Sequence, residues 1–445
     1  MKQALIISPY YAPSNLVAAI RATKFTKYLA RDEGYSVDVI SFPGNYPEDP
    51  TLMLDLVYVS VHIKLKSRFF SFVQRVLPNR QKAPSIQPLS KSQENLSDVK
   101  SKQYHFRKWF MEVALFSYEQ MLAYLLYRSS KQFIRKNSRK YDLVFSTYGP
   151  YSSHMMGMYA KKCNPECFWI ADFRDPLASG NESSELITKM KQKHVKKYCS
   201  QADAITAVSN GVLEKLDYPA QYISHVVTNG FDPDDLKNIQ KSTGDKQEFA
   251  FAYCGTIYGG KSNLEVLFKA LRELIQAGRV KKESFRIRYT GSEGAQVLRW
   301  ALEYGLEDNL HDYGKVSRER SLEIQSVSSV LLLASWNNVG NTGVITGKFF
   351  EYLMMGKNIL CFMSGNLANS DLKTMIETAE AGFCYEQAND GQDYCRLLEF
   401  LENTFNDYKE NGIVRYSPNM DYINRFCYSV LTKELLRIAD KCNKR

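Results

Sequence analysis

An α/β protein of two domains, each a largely parallel sheet covered on both faces by helices, is the fold class this sequence predicts. Three observations predict it. The chain has 445 residues, more than the roughly 250–300 at which a single core stops growing. Short β-rich apolar runs alternate with amphipathic helical stretches, the pattern of repeated strand–helix–strand units. That alternation is interrupted at DPDDLKNIQKSTGDKQ (232–247), which is polar and has no apolar period, and then begins again.

In the first half, ALIISPYY reads as a buried strand and AIRATKFTKYLARDEG as a helix, with Gly34 near its end. YSVDVISF and LDLVYVSV read as strands. After a basic insertion come YDLVFSTY (strand), SSHMMGMYAKK (helix), CFWIADF (strand), ELITKMKQKHVKKYCSQA (helix), ADAITAVS (strand), NGVLEKL (helix) and ISHVVTNG (strand). In the second half the strands are FAFAYCGTI, FRIRYTG, LHDYG, SVLLLASW, NILCFMS and FCYEQ. The helices between them are SNLEVLFKALRELIQAG, AQVLRWALEYG, SRERSLEIQSV, GKFFEYLMMG and SDLKTMIETAEAG. From Asp390 the chain reads as mostly helical. The expected organisation is a domain at 1–231 with a basic insertion at 64–140, a linker at 232–247, and a second domain at 248–420. A terminal helix at 421–445 could pack back on the first domain.

Composition narrows the function classes. The hydrophobic fraction of 44% is ordinary for a globular protein. No uninterrupted apolar run approaches about 18 residues, so no transmembrane helix is expected. The opening MKQALIISPYYAPS has too short an apolar run for a signal-peptide core. The nine cysteines are scattered, and only Cys163 and Cys167 lie close together, without zinc-ligand spacing. Reduced thiols, no metal and a cytoplasmic location are the expectation.

The net charge of +10 is unevenly spread, because Lys64 to Lys140 holds 17 Lys/Arg against Glu94, Asp98, Glu112 and Glu119. A basic field of this kind calls for an anionic partner. Within it, YHFRKWFMEVALFSYEQMLAYLLYRSSKQFIRK reads as a helix rich in aromatics and leucine, with cations at both ends. Near an anionic bilayer each Lys or Arg contributes about 1 kcal/mol, and aromatic anchors add apolar burial. A peripheral site at the inner membrane face is one reading. Packing of the apolar face inside the domain, with solvated cations, is the other. No nucleic-acid motif accompanies the charge, so no nucleic-acid partner is expected.

Ligands of open α/β sheets bind outside the carboxyl ends of the strands. Two such sheets facing across a linker would share one interdomain cleft, which a hinge could close against water. The segment NTGVITGKFFEYLMMGKNIL (341–360) puts Gly347 and Lys348 at a helix N-terminus, where phosphate is attracted. Glu351, about one turn on, could accept hydrogen bonds from vicinal hydroxyls. An ordinary amphipathic helix with exposed Lys and Glu fits the same residues. Asp172, Arg174 and Asp175 follow an apolar strand directly, so they sit at a strand end and need one another or a ligand. His154, at a helix start, reads equally as a site residue or a structural one.

GKFFEYLMMGKNIL resembles the C-terminal-half signature of GT-B-fold glycosyltransferases, especially glycosyltransferase family 4. The resemblance implies two Rossmann-like domains facing across a cleft, a retaining and metal-independent hexosyl transfer, and a nucleotide-sugar donor held by the second domain. It implies that Glu351 holds the donor ribose. The family's second glutamate, eight positions earlier, is Gly343 here. AYCGTIYGGKSNLEVLFKAL is similar to the family's opening of the donor domain, implying phosphate contacts from Gly255 and Lys261. The arginine usual near Thr256 is absent. Gly259 and Gly260 permit close backbone approach, or form a plain turn.

RYTGSEG and HDYGKVSRERSLEIQSVSSVLLLAS resemble the next landmarks. They imply that Gly291 lies near the phosphates, and that Lys315 and Val316 lie near the base. VVTNGFD (Val226–Asp232) matches the interdomain crossover. In the first half, PYYAPSNLVAAIRATKFTKYLARDEGYSVDVIS resembles the acceptor domain's first loop and helix, so Ser14, Asn15 and Arg21 are candidate anion contacts. STYGPYSSHMMGMYAKKCNPECFWIADFRDPLASG implies Asp172, Arg174, Asp175 and His154 on the acceptor and reacting-sugar side. The acceptor would be a glycan or lipid-linked sugar in cell-surface polysaccharide synthesis. A nucleotide-sugar 2-epimerase of the same fold and a non-catalytic glycan-assembly scaffold remain alternatives.

Overall fold

The computed structural model describes residues 1–42, 46–65, 98–148, 152–175, 185–216, 223–237, 248–259 and 261–442. Gly260, part of the expected basic insertion (66–97) and most of the expected linker (238–247) lie outside them. The chain divides into two compact units. One comprises Met1–Glu48, Leu54–Val227 and Leu435–Arg445; the other comprises Asp49–Met53 and Thr228–Glu434.

The first unit holds β1 (Gln3–Ser8), β2 (Ser36–Ser41), β3 (Val61–Lys64), β4 (Leu143–Thr147), β5 (Phe168–Phe173), β6 (Ala204–Ala207) and β7 (Ser224–Val226). They form one sheet in the order β3-β2-β1-β4-β5-β6-β7, with every pairing parallel. Helices cover both faces, so β4 and β5 are buried along their whole length. Such strands read as continuous apolar runs instead of alternating ones. Leu5, Ile7, Val144, Trp169 and Phe173 fill the core on one face.

The second unit holds β8 (Ala250–Cys254), β9 (Arg286–Thr290), β10 (Leu310–Asp312), β11 (Val330–Trp336), β12 (Asn358–Ser364) and β13 (Gly382–Glu386). Its sheet runs β10-β9-β8-β11-β12-β13 and is also parallel. The order of strands reverses between β8 and β11, which is the switch point where doubly wound sheets take ligands. Successive residues face opposite sides: Phe251 and Leu332 enter one core, Ala252 and Leu333 the other. The two α/β halves expected from the alternation are therefore present, each with its own core.

One expected element differs. LDLVYVSV was expected to be a strand from its alternating apolar residues, but Leu54–Tyr58 forms a 3-10 turn and the strand starts only at Val61. The cause is Asp55, which is buried against the helix Val17–Arg31 and meets Lys24 Nζ at 2.8 Å and Lys27 Nζ at 3.6 Å. Buried cations of this kind need their carboxylate close, and that requirement outweighs local β propensity.

The polar stretch from Asp232 opens with a 3-10 turn, Pro233–Leu236, capped by the Asp232 side chain. The basic insertion contains a helix, Asp98–Asn137. It buries Ala123, Leu126 and Ile134 in the first unit's core and leaves Trp109, Phe110 and Met111 exposed. Among the described residues no helix is long and apolar enough to cross a membrane.

Close packing around β4 and β5 gives a stability prediction. A Cβ on Gly157 would collide with Trp169 Nε1 and lie 2.9 Å from Ser146 Oγ, where Trp169 donates its indole hydrogen bond at 2.8 Å. Gly157→Ala should lower stability by about 1–3 kcal/mol, as overpacking does. Urea unfolding should show a lower midpoint at unchanged slope; an unchanged midpoint would refute this packing.

Candidate functional site

The second unit's switch point gathers most of the residues expected at a donor site. β8 ends at Cys254, and Gly255 continues at φ +154°, a conformation that glycine adopts readily and other residues do not. Its N–H donates to Thr290 O at 2.7 Å, tying it to the end of β9. The Lys348 side chain lies directly over Gly255: a Cβ there would collide with Lys348 Cε and come within 2.8 Å of Nζ. Gly291, just past β9, is packed against Tyr289 Oη and Gly255 O with no room for a side chain.

Glu293 and Tyr289 stitch these loops together. The Glu293 N–H donates to Tyr289 Oη at 3.0 Å, and the Ile257 N–H donates to Glu293 Oε2 at 3.1 Å.

Lys348 is the second residue of the helix Gly347–Met355, whose N-cap Thr346 makes no side-chain capping bond. The Thr346 hydroxyl is buried without a partner. Among the described residues Lys348 has no carboxylate at ion-pair distance, so an unpaired cation and a helix N-terminus coincide beside bare backbone. That combination attracts anions. Gly356 closes the helix in the left-handed conformation, at φ +63°.

One turn beyond Lys348, Glu351 is held by its neighbours. Its Oε1 accepts from Gln325 Nε2 at 2.7 Å, and Arg318 Nε lies 3.9 Å from Oε2. Arg318 also donates to Asp235 at 3.0 Å. Burial alone would lower the Arg318 pKa, but the nearby Asp235 and Glu351 outweigh it and hold the group above its usual value.

Sequence reasoning singled out Glu351 but missed Arg318, Gln325 and Glu293. Arg318 and Gln325 stand seven residues apart in the helix Arg318–Ser326, two turns along one face. That spacing was the signal available. The remaining expected donor residues sit nearer the surface. Lys261 is exposed, with Nζ 5.3 Å from the centroid of the Trp336 ring. Lys315 is exposed and Val316 half-buried, at the start of the loop leading to Ser317.

In the first unit the structure joins two residues that the sequence left apart. Arg21 and Asp172 form a buried bidentate pair: Nε to Oδ2 at 3.0 Å and Nη2 to Oδ1 at 2.7 Å. Thr206 also donates to Asp172, at 2.8 Å, and Arg21 Nη2 donates to Val227 O at 2.8 Å. Arg174 turns its guanidinium onto the carbonyls of Tyr148, at 2.8 and 3.1 Å, and Ala18, at 3.2 Å. Burial lowers its pKa. Asp175 is exposed.

His154 is fully buried, with Nδ1 2.9 Å from Ser146 Oγ and Nε2 unpartnered. Burial pushes its pKa down to about 3, so it stays neutral where a free imidazole would take up a proton. Asn15 is exposed and its N–H donates to Pro47 O at 2.8 Å, while Ser14 Oγ is buried without a partner. Among the described residues no three His, Cys, Asp or Glu side chains converge as a metal site needs.

No family model and no curated protein sequence matches this chain. Solved structures match it in fold. The apo form of the lipopolysaccharide outer core galactosyltransferase WaaB covers 99% of this chain and 99% of its own, at TM-score 0.54 and 15% identity. An E. coli structure described as trehalose-6-phosphate bound with UDP-2-fluoro glucose covers 98% of each, at TM-score 0.56 and 10% identity. A candidate UDP-N-acetylglucosamine 2-epimerase from Listeria monocytogenes covers 98% of this chain and 95% of its own, at TM-score 0.53 and 12% identity. At such identities the likeness shows the fold: two Rossmann-like units of the GT-B type. Among them WaaB is a galactosyltransferase by name and the Listeria protein a candidate 2-epimerase.

The contact of Lys348 with Gly255 is open to direct test. Gly255→Ala would force the lysine off the backbone and strain a positive φ. Affinity for inorganic pyrophosphate, followed by isothermal titration, should fall at least about tenfold, the scale of one charged hydrogen bond. Undiminished binding would show that Lys348 is not the anion contact.

Proposed function

We propose that the protein is a glycosyltransferase whose second unit binds a nucleotide-sugar donor through Lys348, Glu351, Lys261, Lys315 and the backbone at Gly255, Gly291 and Val316. The observation that carries this reading is the cation of Lys348, without a carboxylate partner, lying over Gly255 at the switch point of a nucleotide-binding type of sheet. A diphosphate would supply the missing negative charge, and Glu351 would receive the ribose hydroxyls. As the bond from sugar to diphosphate breaks, negative charge grows on the leaving phosphate. Lys348 and the helix N-terminus are already oriented toward that charge, and preorganised dipoles of this kind lower barriers most. The reaction as proposed is retaining and needs no metal, as the family resemblance implies.

The acceptor is proposed to be a glycan or lipid-linked sugar in cell-surface polysaccharide synthesis, bound by the first unit. His154, neutral and fully buried, is proposed to act there only through the residues packed around it. Arg174 and Asp175 remain candidates at the same strand end. Asp172 is committed to Arg21, so its proposed part is to fix that strand end. WaaB, a galactosyltransferase by name, supports the transferase reading by its fold. The Listeria protein, which shares the fold, keeps the 2-epimerase as the second reading.

Incubation with a panel of nucleotide sugars, with and without glycan acceptors, separates the readings. Acceptor-dependent release of nucleoside diphosphate is expected. Conversion of UDP-N-acetylglucosamine to its epimer without acceptor would replace the transferase reading with the epimerase. Failure of every nucleoside diphosphate to bind would favour a scaffold. Glu351→Ala should raise the donor KM about tenfold to a hundredfold and leave the acceptor KM within about twofold.

The protein is further proposed to work on the cytoplasmic side, against an anionic membrane surface. On the helix Asp98–Asn137 the exposed positions Phe110, Ala114, Met121 and Tyr124 are apolar, and further along Arg128, Lys131 and Arg135 are cationic. Apolar anchors followed by cations suit a bilayer bearing negative headgroups. Reversing the charge of Arg128, Lys131 and Arg135 together should abolish co-sedimentation with phosphatidylglycerol vesicles. Unchanged sedimentation would retire the membrane proposal and leave the transferase reading untouched.

A further inference from the structure

Glu293 stands at the N-cap position of the helix Gly294–Glu303 but does not cap it with its side chain. Its carboxylate reaches instead to the loop after β8, where Oε2 accepts the Ile257 N–H at 3.1 Å and lies 3.2 Å from Tyr289 Oη. Among the described residues no lysine or arginine stands at ion-pair distance from it. The Tyr289 hydroxyl has one proton and two lone pairs. It accepts from the Glu293 N–H at 3.0 Å, which leaves its proton for Glu293 Oε2 or for Gly255 O, 3.4 Å away. Burial raises the pKa of this tyrosine, so the proton stays on the oxygen. Glu293 therefore meets the loop at both ends, directly at Ile257 and through Tyr289 at Gly255.

On charge alone a carboxylate is out of place beside a site that draws anions, because it repels them. What it supplies is an acceptor. Ile257 is buried past the end of β8, beyond the sheet's own ladder of hydrogen bonds. A buried amide left unpaired costs about 1–3 kcal/mol. Without the carboxylate, the loop would have to turn to find another acceptor, and Gly255 would turn with it. Lys348 lies over Gly255 with no room for a side chain between them, so the lysine would lose the surface that sets its course.

We infer that Glu293 is a positioning residue for the transfer reaction: through the Ile257 N–H and the Tyr289 hydroxyl it fixes the loop 255–257, and so holds the Lys348 charge where the leaving diphosphate forms. The inference rests on the donor reading above and adds to it a residue that need not touch the donor. It acts by hydrogen bonding, so its negative charge is incidental and even opposes the ligand. That separates it from a residue that serves through charge, and from one that serves only the stability of the fold.

The test is isothermal titration of the full chain with inorganic pyrophosphate, UDP and GDP. Glu293→Ala should weaken pyrophosphate binding about tenfold. Glu293→Gln keeps an amide oxygen for the Ile257 N–H and loses the charge, so its affinity should equal or exceed that of the wild type. Tighter binding in both variants would show simple repulsion, and equal weakening in both would show that the charge itself is needed; either overturns the inference. A lower melting temperature in Glu293→Ala with unchanged affinity would reduce the residue to a structural one and overturn it too. Should Glu293→Ala fail to fold, Tyr289→Phe decides: it breaks the link to Gly255 and should weaken pyrophosphate at least about threefold, and unchanged affinity there refutes the role. In turnover assays Glu293→Ala should lower kcat/KM for the donor and leave the acceptor KM within about twofold. These failures leave the donor site standing. If the wild type binds neither pyrophosphate nor any nucleoside diphosphate, the donor reading falls and this inference falls with it.

Discussion

A parallel sheet covered on both faces leaves its strand ends as the places where charge can be kept, and each charge there must be matched. The two units meet this constraint differently. In the first, Arg21 stands on the helix that follows β1 and is matched internally by Asp172 at the end of β5, with a bidentate pair of 2.7 and 3.0 Å. In the second, Lys348 stands on the helix that follows β11 and has no such carboxylate among the described residues. One strand end is closed by the protein's own charges. The other carries a cation that no carboxylate among the described residues meets.

What keeps Lys348 in place is backbone, not charge. Its stem crosses Gly255 where any side chain would collide, and Gly255 is fixed in turn by the bond to Thr290 O. The Tyr289 hydroxyl, 3.4 Å from Gly255 O, and Glu293, which takes the Ile257 N–H, bind the two loops into one surface. An ammonium on a four-carbon stem is ordinarily mobile and solvated. Here its path is set by the packing below it, so the charge is aimed before any anion arrives. Electrostatic stabilisation is strongest when the groups need no reorganisation.

Much of the fold was legible because strand–helix alternation is a local signal, and the buried parallel strands announce themselves as apolar runs. The failure at Leu54–Val61 was of another kind: Asp55 answers two lysines about thirty residues earlier, at Lys24 and Lys27, and no local pattern encodes that. The site divides the same way. Lys348 and Glu351 could be found because one helix carries both. The Arg21–Asp172 pair joins residues 151 positions apart, so each appeared in the sequence as a separate anion or acceptor contact, not as the other's partner. Gln325 was passed over because a glutamine inside a helix has no signature until the carboxylate it holds is placed beside it.

The departures from the family's pattern can be argued from the same physics. At position 343, where the resemblance would place a second glutamate, the glycine adopts φ +70°, in the left-handed region that costs a side-chain-bearing residue roughly 1–2 kcal/mol. The loop from β11 to the helix Gly347–Met355 has therefore taken a course in which a glutamate would be strained. The glycine at 343 and the course of this loop therefore go together. The missing arginine near Thr256 has a similar logic. Tyr253 donates to Thr256 O at 3.0 Å and Glu293 takes the next N–H, so the loop after β8 is secured by neutral and acidic groups. Cation density is shifted to Lys348 beneath it and Lys261 beside Trp336. The positive charge of this strand end is thereby concentrated on one short helix, beside the polar groups around Glu351.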